Sequence, residues 1–389
     1  MICYCTAFWD NGHMLVAEIA KQYLKDSGDL APVLAVLQAP DGLSGVEAFH
    51  DLADSAVWMD QIKCTHSSPG CSLHTFPSFN QFNNWHYGGK CIAVNFYPET
   101  ANPCPGVDRL DTGLILNAMF QAIDTFSSTK SLTSAAMALR IILHLMGDIH
   151  QPLHCSGGAV DHNHPQGDVG GNARRFNFTC PSANLHMLWD SGGLKYLNNW
   201  SLENYTEISK ALQENSTSFI TNSVGLPDAL NFNTLEHMPY YQFVAVAKGD
   251  YGMFGRVLHE QAEIAKSVAY GTNSGIHLNP KYPGSSLDCP TQHYFELVQN
   301  VTDLNIGRAG YRLYQVLKQI SRQIVHSGIL PPAAIPPSVP PAIKRPPGPN
   351  GLEDTASALG ARSASSNKGL LRAQSADVKP SREGQFSTA

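Results

Sequence analysis

From Asn11 to Leu24 the apolar positions Met14, Leu15, Ala17, Ile19, Ala20 and Leu24 recur near helical spacing, and Pro32 closes the region. The same periodicity predicts helices over 44–63, 110–127, 131–150, 184–198, 201–223, 253–270 and 292–325. Between 64 and 107 the chain is rich in Ser, Pro, Gly, Asn and Cys, and reads as loops with short strands. After His326 the pattern stops. A run of Leu-Pro-Pro-Ala-Ala-Ile-Pro-Pro-Ser-Val-Pro-Pro leads into a Ser/Ala/Gly-rich end with too little apolar surface to offset its ordering entropy. Residues 326–389 are therefore expected to form a disordered tail, with the Pro-rich part as a spacer. The body, 8–325, is expected to be all-α: a single large helical domain with long loops and no internal repeat.

Composition narrows the classes. No run approaches the roughly 18 consecutive apolar positions of a membrane span, so stable membrane insertion is not expected. The net charge of −6, with both signs interspersed, leaves no broad basic surface for a phosphate backbone. If the chain handles nucleic acid, something other than Lys and Arg supplies much of the positive charge.

The nine cysteines contain no CxxC pair and read as disulfides of an oxidising compartment. Five glycosylation sequons, at Asn177, Asn199, Asn204, Asn215 and Asn300, agree with a secreted or endomembrane-lumen glycoprotein. Met1–Ala7 is too short for a whole signal peptide, yet Cys5-Thr6-Ala7 resembles the residues before a cleavage site. Residues 1–7 are thus expected to be the end of a signal peptide or of a truncated leader.

The densest chemistry lies in His144-Leu-Met-Gly-Asp148-Ile-His150-Gln-Pro-Leu-His154. His144 and Asp148 are four apart, which on a helix puts them on one face, one turn apart, a spacing that suits two ligands of one ion. Pro152 should end the helix and swing His154 away, toward a neighbouring ion. His186 and Asp190 repeat the spacing, so the set resembles a multinuclear site. Nitrogen and carboxylate donors without thiolates suit catalytic zinc.

In order along the chain, Gly12-His13, Trp58-Met-Asp60-Gln-Ile-Lys63, Trp85-His86-Tyr87, the His144–His154 segment, Gly170-Gly-Asn172, Asn184-Leu-His186 to Asp190 and Ala309-Gly-Tyr-Arg-Leu313 resemble the class I zinc nucleases over roughly residues 8–325. These are secreted, single-strand-specific enzymes of the S1/P1 type, in the superfamily of zinc-dependent phospholipase C. The resemblance implies the helical fold of that superfamily and three Zn2+ per chain. Carried over, Asp60, His86, His144 and Asp148 hold one zinc, and His154, His186 and Asp190 a second. His13, Asp148 as a bridge, and the backbone amine and carbonyl of Phe8 hold the third. That last ligation needs cleavage after Ala7, because an internal Phe8 has no free amine.

The resemblance further implies hydrolysis of single-stranded RNA and DNA to 5′-phosphorylated products, and of 3′-nucleotides, by water activated at the metals. The cations would then offset the phosphate charge. Asp148 would act in catalysis as well as in binding. Lys63, where the family usually has Arg, would stabilise the equatorial oxygens as a point charge. Asn172 would bond the site water or phosphate, and Tyr87 would stack a base that only a single strand leaves free. Gly89 stands where the fungal enzymes carry an aspartate. His150, His162 and His164 match no ligand and read as loop histidines, and Asp168 reads as a dispensable neighbour. Two alternatives remain: a zinc-dependent phospholipase C, and a catalytically weak zinc- or nucleic-acid-binding protein. No protein partner is identified.

Overall fold

The computed structural model describes residues 8–39, 47, 49–63, 80–93, 113–160, 164, 167–197, 204–223, 228–271, 276 and 286–330. The fold within them is built on two long helices. α1 (Asp10–Ser27) is buried on almost every side, with Met14, Leu15, Val16, Ala17, Ile19 and Ala20 enclosed. Gly28, left-handed at φ 81°, ends it. α11 (Gln292–Ser327) starts from the Thr291 cap and ends at left-handed Gly328, and Ile329 and Leu330 beyond it are still buried in the core. The two cross at Gly310, where a Cβ would lie 2.5 Å from Ile19 Cγ2, so only glycine permits this approach.

α5 (Ile115–Ser128) and α6 (Leu132–Asp148) pack on each other and on α11. From Ala138 onward every residue of α6 is buried, which brings its C-terminal end into the interior. α8 (Tyr205–Ser223) covers α1. α10 (Met253–Ile264) continues into a π turn over Ala265–Ala269. A smaller apolar cluster surrounds Trp189, whose Nε1 donates to Tyr294 Oη at 3.0 Å.

Several expected elements differ. Pro32 does not close the first helical region. It sits in the first turn of α2 (Leu30–Leu37), where a missing N–H leaves no intrahelical bond unmade. Among the described residues of 44–63 the expected helix is two short ones, α3 (Leu52–Ser55) and α4 (Trp58–Gln61), because Asp51 and Asp54 form a reciprocal capping box that starts α3. The helix expected over 184–198 stops after one and a half turns as α7 (Leu185–Asp190), ahead of Gly192 and Gly193 at positive φ. α9 (Tyr240–Ala247) and the 3-10 turn Phe232–His237 were not expected.

Strand β1 (Lys90–Ala93), within the stretch read as loops with short strands, pairs in parallel with β2 (Ser156–Val160), Lys90 opposite Ser156. Most of 64–107 lies outside the described residues, as do His162 and residues 331–389; the start of the expected tail is instead ordered, with His326 and Ser327 in α11 and Ile329 and Leu330 buried. Cys180 and Cys289 form a disulfide across 109 residues, while Cys155 is a buried thiol. No helix among the described residues is long and apolar enough to cross a membrane.

Candidate metal centre

α6 delivers His144 and Asp148 one turn apart at its buried end. Pro152 then opens a 3-10 turn, Pro152–His154, which turns His154 away from the α6 face. His13 comes from α1, its ring stacked on His144 at 4.0 Å between centroids. α4 supplies Asp60, α7 supplies His186 and Asp190, and His86 follows the 3-10 turn Asn80–Trp85. All eight side chains are buried.

They gather into three groups in which the donor atoms lie within 4.8 Å of one another: His13, His144 and Asp148; Asp60, His86 and His144; His154, His186 and Asp190. Asp148 faces two ways. Its Oδ1 is 3.3 Å from His13 Nε2, and its Oδ2 is 3.0 Å from His86 Nδ1 and 3.4 Å from His144 Nε2. Phe8 is buried beside them, its ring edge toward His13 at 6.5 Å. The Trp9 N–H donates to the Asp190 carbonyl at 3.0 Å and fastens the start of α1 to the end of α7.

Backbone carbonyls aim the rings. Nδ1 of His144 bonds Ala56 O, Nδ1 of His154 bonds His86 O, and Nδ1 of His186 bonds Gly170 O, each at 2.7 Å. In each ring Nδ1 then carries the proton, and the Nε2 lone pair points into the centre. Among the described residues, both ring nitrogens of His13, Nε2 of His86 and of His154, both oxygens of Asp148, and Oδ2 of Asp190 are buried without a hydrogen-bond partner. So many unsatisfied polar atoms in one place would be costly unless a cation satisfied the acceptors among them, so the donor set fits metal ions.

The electrostatics agree. Burial, then the charge of Lys63, holds His86 well below the usual imidazole range, and burial, then His13, does the same for His144. Burial and then His186 pull His154 down to about 3. These rings are neutral near pH 7, as ligands must be. Burial pushes Asp148 up to about 7 and Asp190 well above the carboxylate range. Against the same burial, Lys63 and then His144 and His86 keep Asp60 low.

The other expected residues fall nearby. Lys63 is buried with Nζ 2.6 Å from Asp60 Oδ1, so it steadies a proposed ligand. Tyr87 is half-exposed, its hydroxyl donating to Asn84 Oδ1 at 3.0 Å. Asn172 is buried and donates to Val169 O at 3.0 Å, in the turn that carries Gly170.

Two readings are corrected. His150 does lie in the turn after α6, but it is fully buried, with Nδ1 on Met146 O at 2.7 Å and Nε2 3.1 Å from Arg312. Arg312 in turn pairs with Asp228 and Glu260. Asp168 is equally buried. It accepts from Gly171 N–H, Arg174 Nε and Tyr270 Oη at 2.7–3.0 Å, holding a turn in which Val169, Gly170 and Gly171 all have positive φ.

Two contributors were missed. Gln151 donates to Asp190 Oδ1 at 2.6 Å while its own oxygen caps Leu153 N–H. Its place between His150 and Pro152 was the available signal. Gly147 is the other, for a Cβ there would lie 2.4 Å from His13 Nδ1. Alanine normally favours a helix interior by about 1 kcal/mol over glycine. Here Gly147→Ala is instead expected to displace His13 and lower activity by about 10–100-fold. Parallel zinc analysis and assay check this, and wild-type metal content and rate in the variant would remove His13 from the centre.

The profile of the S1/P1 Nuclease family matches residues 8–322. Endonuclease 4 of Arabidopsis thaliana is 29% identical over 57% of this chain and 67% of its own length. Endonuclease 3 of the same plant is 30% identical over 46% and 52%, and Nuclease S1 of Aspergillus oryzae 24% over 47% and 53%. The chain thus spans about half to two thirds of the length of these curated relatives.

Proposed function

The chain belongs to the S1/P1 nuclease family, and on that premise we propose that it is a zinc-dependent endonuclease. It cleaves single-stranded RNA and DNA to 5′-phosphorylated products and removes the phosphate of 3′-nucleotides. The observation that carries this reading is the convergence of eight buried His and Asp side chains on three groups, with bare ring nitrogens and carboxylate oxygens turned inward. Relatives named endonuclease and Nuclease S1 support the reaction class.

Three zincs would be held by Asp60, His86, His144 and Asp148; by His154, His186 and Asp190; and by His13, Asp148 and the terminal amine and carbonyl of Phe8. The chemistry zinc supplies at such sites is polarisation of phosphoryl oxygens and acidification of water. The protein does the rest by placement. The carbonyls of Ala56, His86 and Gly170 fix which ring nitrogen faces the metal centre. Lys63 holds Asp60 and adds the one buried lysine charge of the described site, beside the phosphate. Asn172 orients the attacked phosphate. Tyr87 offers a half-exposed ring on which a free base stacks, and stacking tolerates any base. With Gly89 in place of an acid, base preference is expected to be weak. The five sequons and the disulfide support a secreted glycoprotein whose first residue, after removal of Met1–Ala7, is Phe8.

The deciding assay offers purified protein single-stranded DNA and RNA, 3′-AMP and phosphatidylcholine. Hydrolysis of the first three and not the lipid is expected; the reverse would make it a phospholipase C. The N-terminal ligand has its own test. Protein beginning at Phe8 is expected to exceed the form retaining Met1–Ala7 by at least about 100-fold, and His13→Ala to reproduce the uncleaved form's defect with little further loss when combined. Equal rates, with three zincs in the uncleaved form, would exclude Phe8.

A further inference from the structure

Away from the metal centre, α1, α8 and α11 enclose a cleft of about 700 Å3. Its walls are apolar at Leu15, Leu212, Phe219 and Leu304, and two sequon asparagines, Asn215 on α8 and Asn300 on α11, open onto it. The sequons differ in one respect. Thr217 Oγ1, which completes the Asn215 sequon, donates to Gln213 O at 2.8 Å and so has work in the folded helix. Thr302, which completes the Asn300 sequon, is 1% exposed, and its hydroxyl is buried without a hydrogen-bond partner. Its methyl side packs toward Gly192, where a Cβ would lie 2.9 Å from Thr302 Cγ2. A valine would fill that space without burying a bare hydroxyl, which is destabilising. The folded state gives the hydroxyl no use, whereas glycosylation of the unfolded chain requires it two residues after the asparagine.

We propose that Asn300 carries an N-linked glycan, attached before the chain folds, and that its first sugars lie in the α1–α8–α11 cleft. The proposal rests on the secretory reading above and says which sequon is used and where its product sits. In the transfer, Asn300 Nδ2 bonds to C1 of an oligosaccharide carried on a lipid pyrophosphate. The C1–O bond breaks, the lipid pyrophosphate leaves with the electron pair, and one amide proton passes to a base of the transferase. After folding, exposed Asn300 holds the glycan at the cleft. Sugar C–H faces then cover Leu212, Phe219 and Leu304, while Asn11 and Asn222 offer amides to the hydroxyls.

The test secretes the full chain from a eukaryotic host behind that host's own signal peptide, so every sequon meets the transferase whatever the natural route. Peptide mass spectrometry is expected to find glycan on the Asn300 peptide of wild type and Thr302→Ser, and none in Asn300→Gln or Thr302→Val. An unmodified wild-type Asn300 peptide overturns the site. Fractionation of the natural chain judges the secretory reading separately. Amides of α8 are expected to exchange roughly tenfold more slowly in the glycosylated protein than in Asn300→Gln; equal exchange overturns the placement in the cleft. In protein made without glycosylation, Thr302→Val is expected to raise Tm by about 2 °C. A fall would give the hydroxyl a role in the folded state and overturn the argument from it.

Discussion

Removal of zinc by a chelator is expected to abolish hydrolysis and to lower Tm in the same titration, and added zinc to restore both. A ligand that binds only the folded chain stabilises it by about 2.7 kcal/mol at a hundred times its Kd, so the loss should be visible by calorimetry. The pH dependence follows from the site's own groups. Asp148, raised to about 7 by burial, holds a proton below that pH in the metal-free protein, and Asp190 lies well above the carboxylate range for the same reason. Zinc must displace those protons. Its affinity should therefore fall as pH drops below about 7, by roughly tenfold per unit for each proton displaced. His154, near 3, and His86 and His144, well below their usual range, are already neutral and release none. Titrations at pH 6 in buffers of different ionisation enthalpy should register proton release that shrinks by pH 8. Undiminished hydrolysis by protein that metal analysis finds free of zinc would end the metal reading.

The second large effect is that of Asp148→Asn. The substitution keeps the volume but removes the charge from the one carboxylate whose two oxygens face His13 on one side and His86 and His144 on the other. Loss of several kcal/mol of phosphate stabilisation corresponds to at least about 10^3-fold in kcat/KM. Metal content should fall at both sites proposed to share the residue, leaving the His154, His186 and Asp190 group loaded. Asp168→Asn, which the sequence recommended as a harmless comparison, is unsuitable because Asp168 is buried under the Gly170 turn. Exposed Glu207→Gln serves instead. Three zincs per chain in Asp148→Asn would exclude the shared ligand.

The donor residues were legible because their identities and spacings are themselves the signal. His144 and Asp148 lie one helical turn apart, Pro152 parts His154 from them, and His186 with Asp190 repeats the theme. What holds the rings was not legible, since the carbonyls of Ala56, His86 and Gly170 are backbone atoms that any residue would offer. Only the chain path brings them to Nδ1 of the three histidines. His150 and Asp168 were misjudged for a related reason: burial is a property of the assembled core, and both stand beside loop-forming Pro or Gly. Among the elements, α1, α6 and α11 announce themselves by long periodicity. α3, α4 and α7 are too short for a period to register, and local capping sets their ends.

The segment after His86 is pinned to the turn at His154 twice over, by Gly88 N–H on His154 O at 3.0 Å and by His154 Nδ1 on His86 O, and the strands continue the pairing from Lys90 and Ser156. The spacing between the His86 group and the His154 group is therefore gauged largely by main chain, as the jaws of a caliper are by their beam, with the His154 ring itself hung on the His86 carbonyl. An added residue between His86 and Gly88 would break that double pin while leaving the make-up of each ligand group unchanged. Such a protein should still take up metal at each group separately, yet hold the groups at the wrong span for one phosphate.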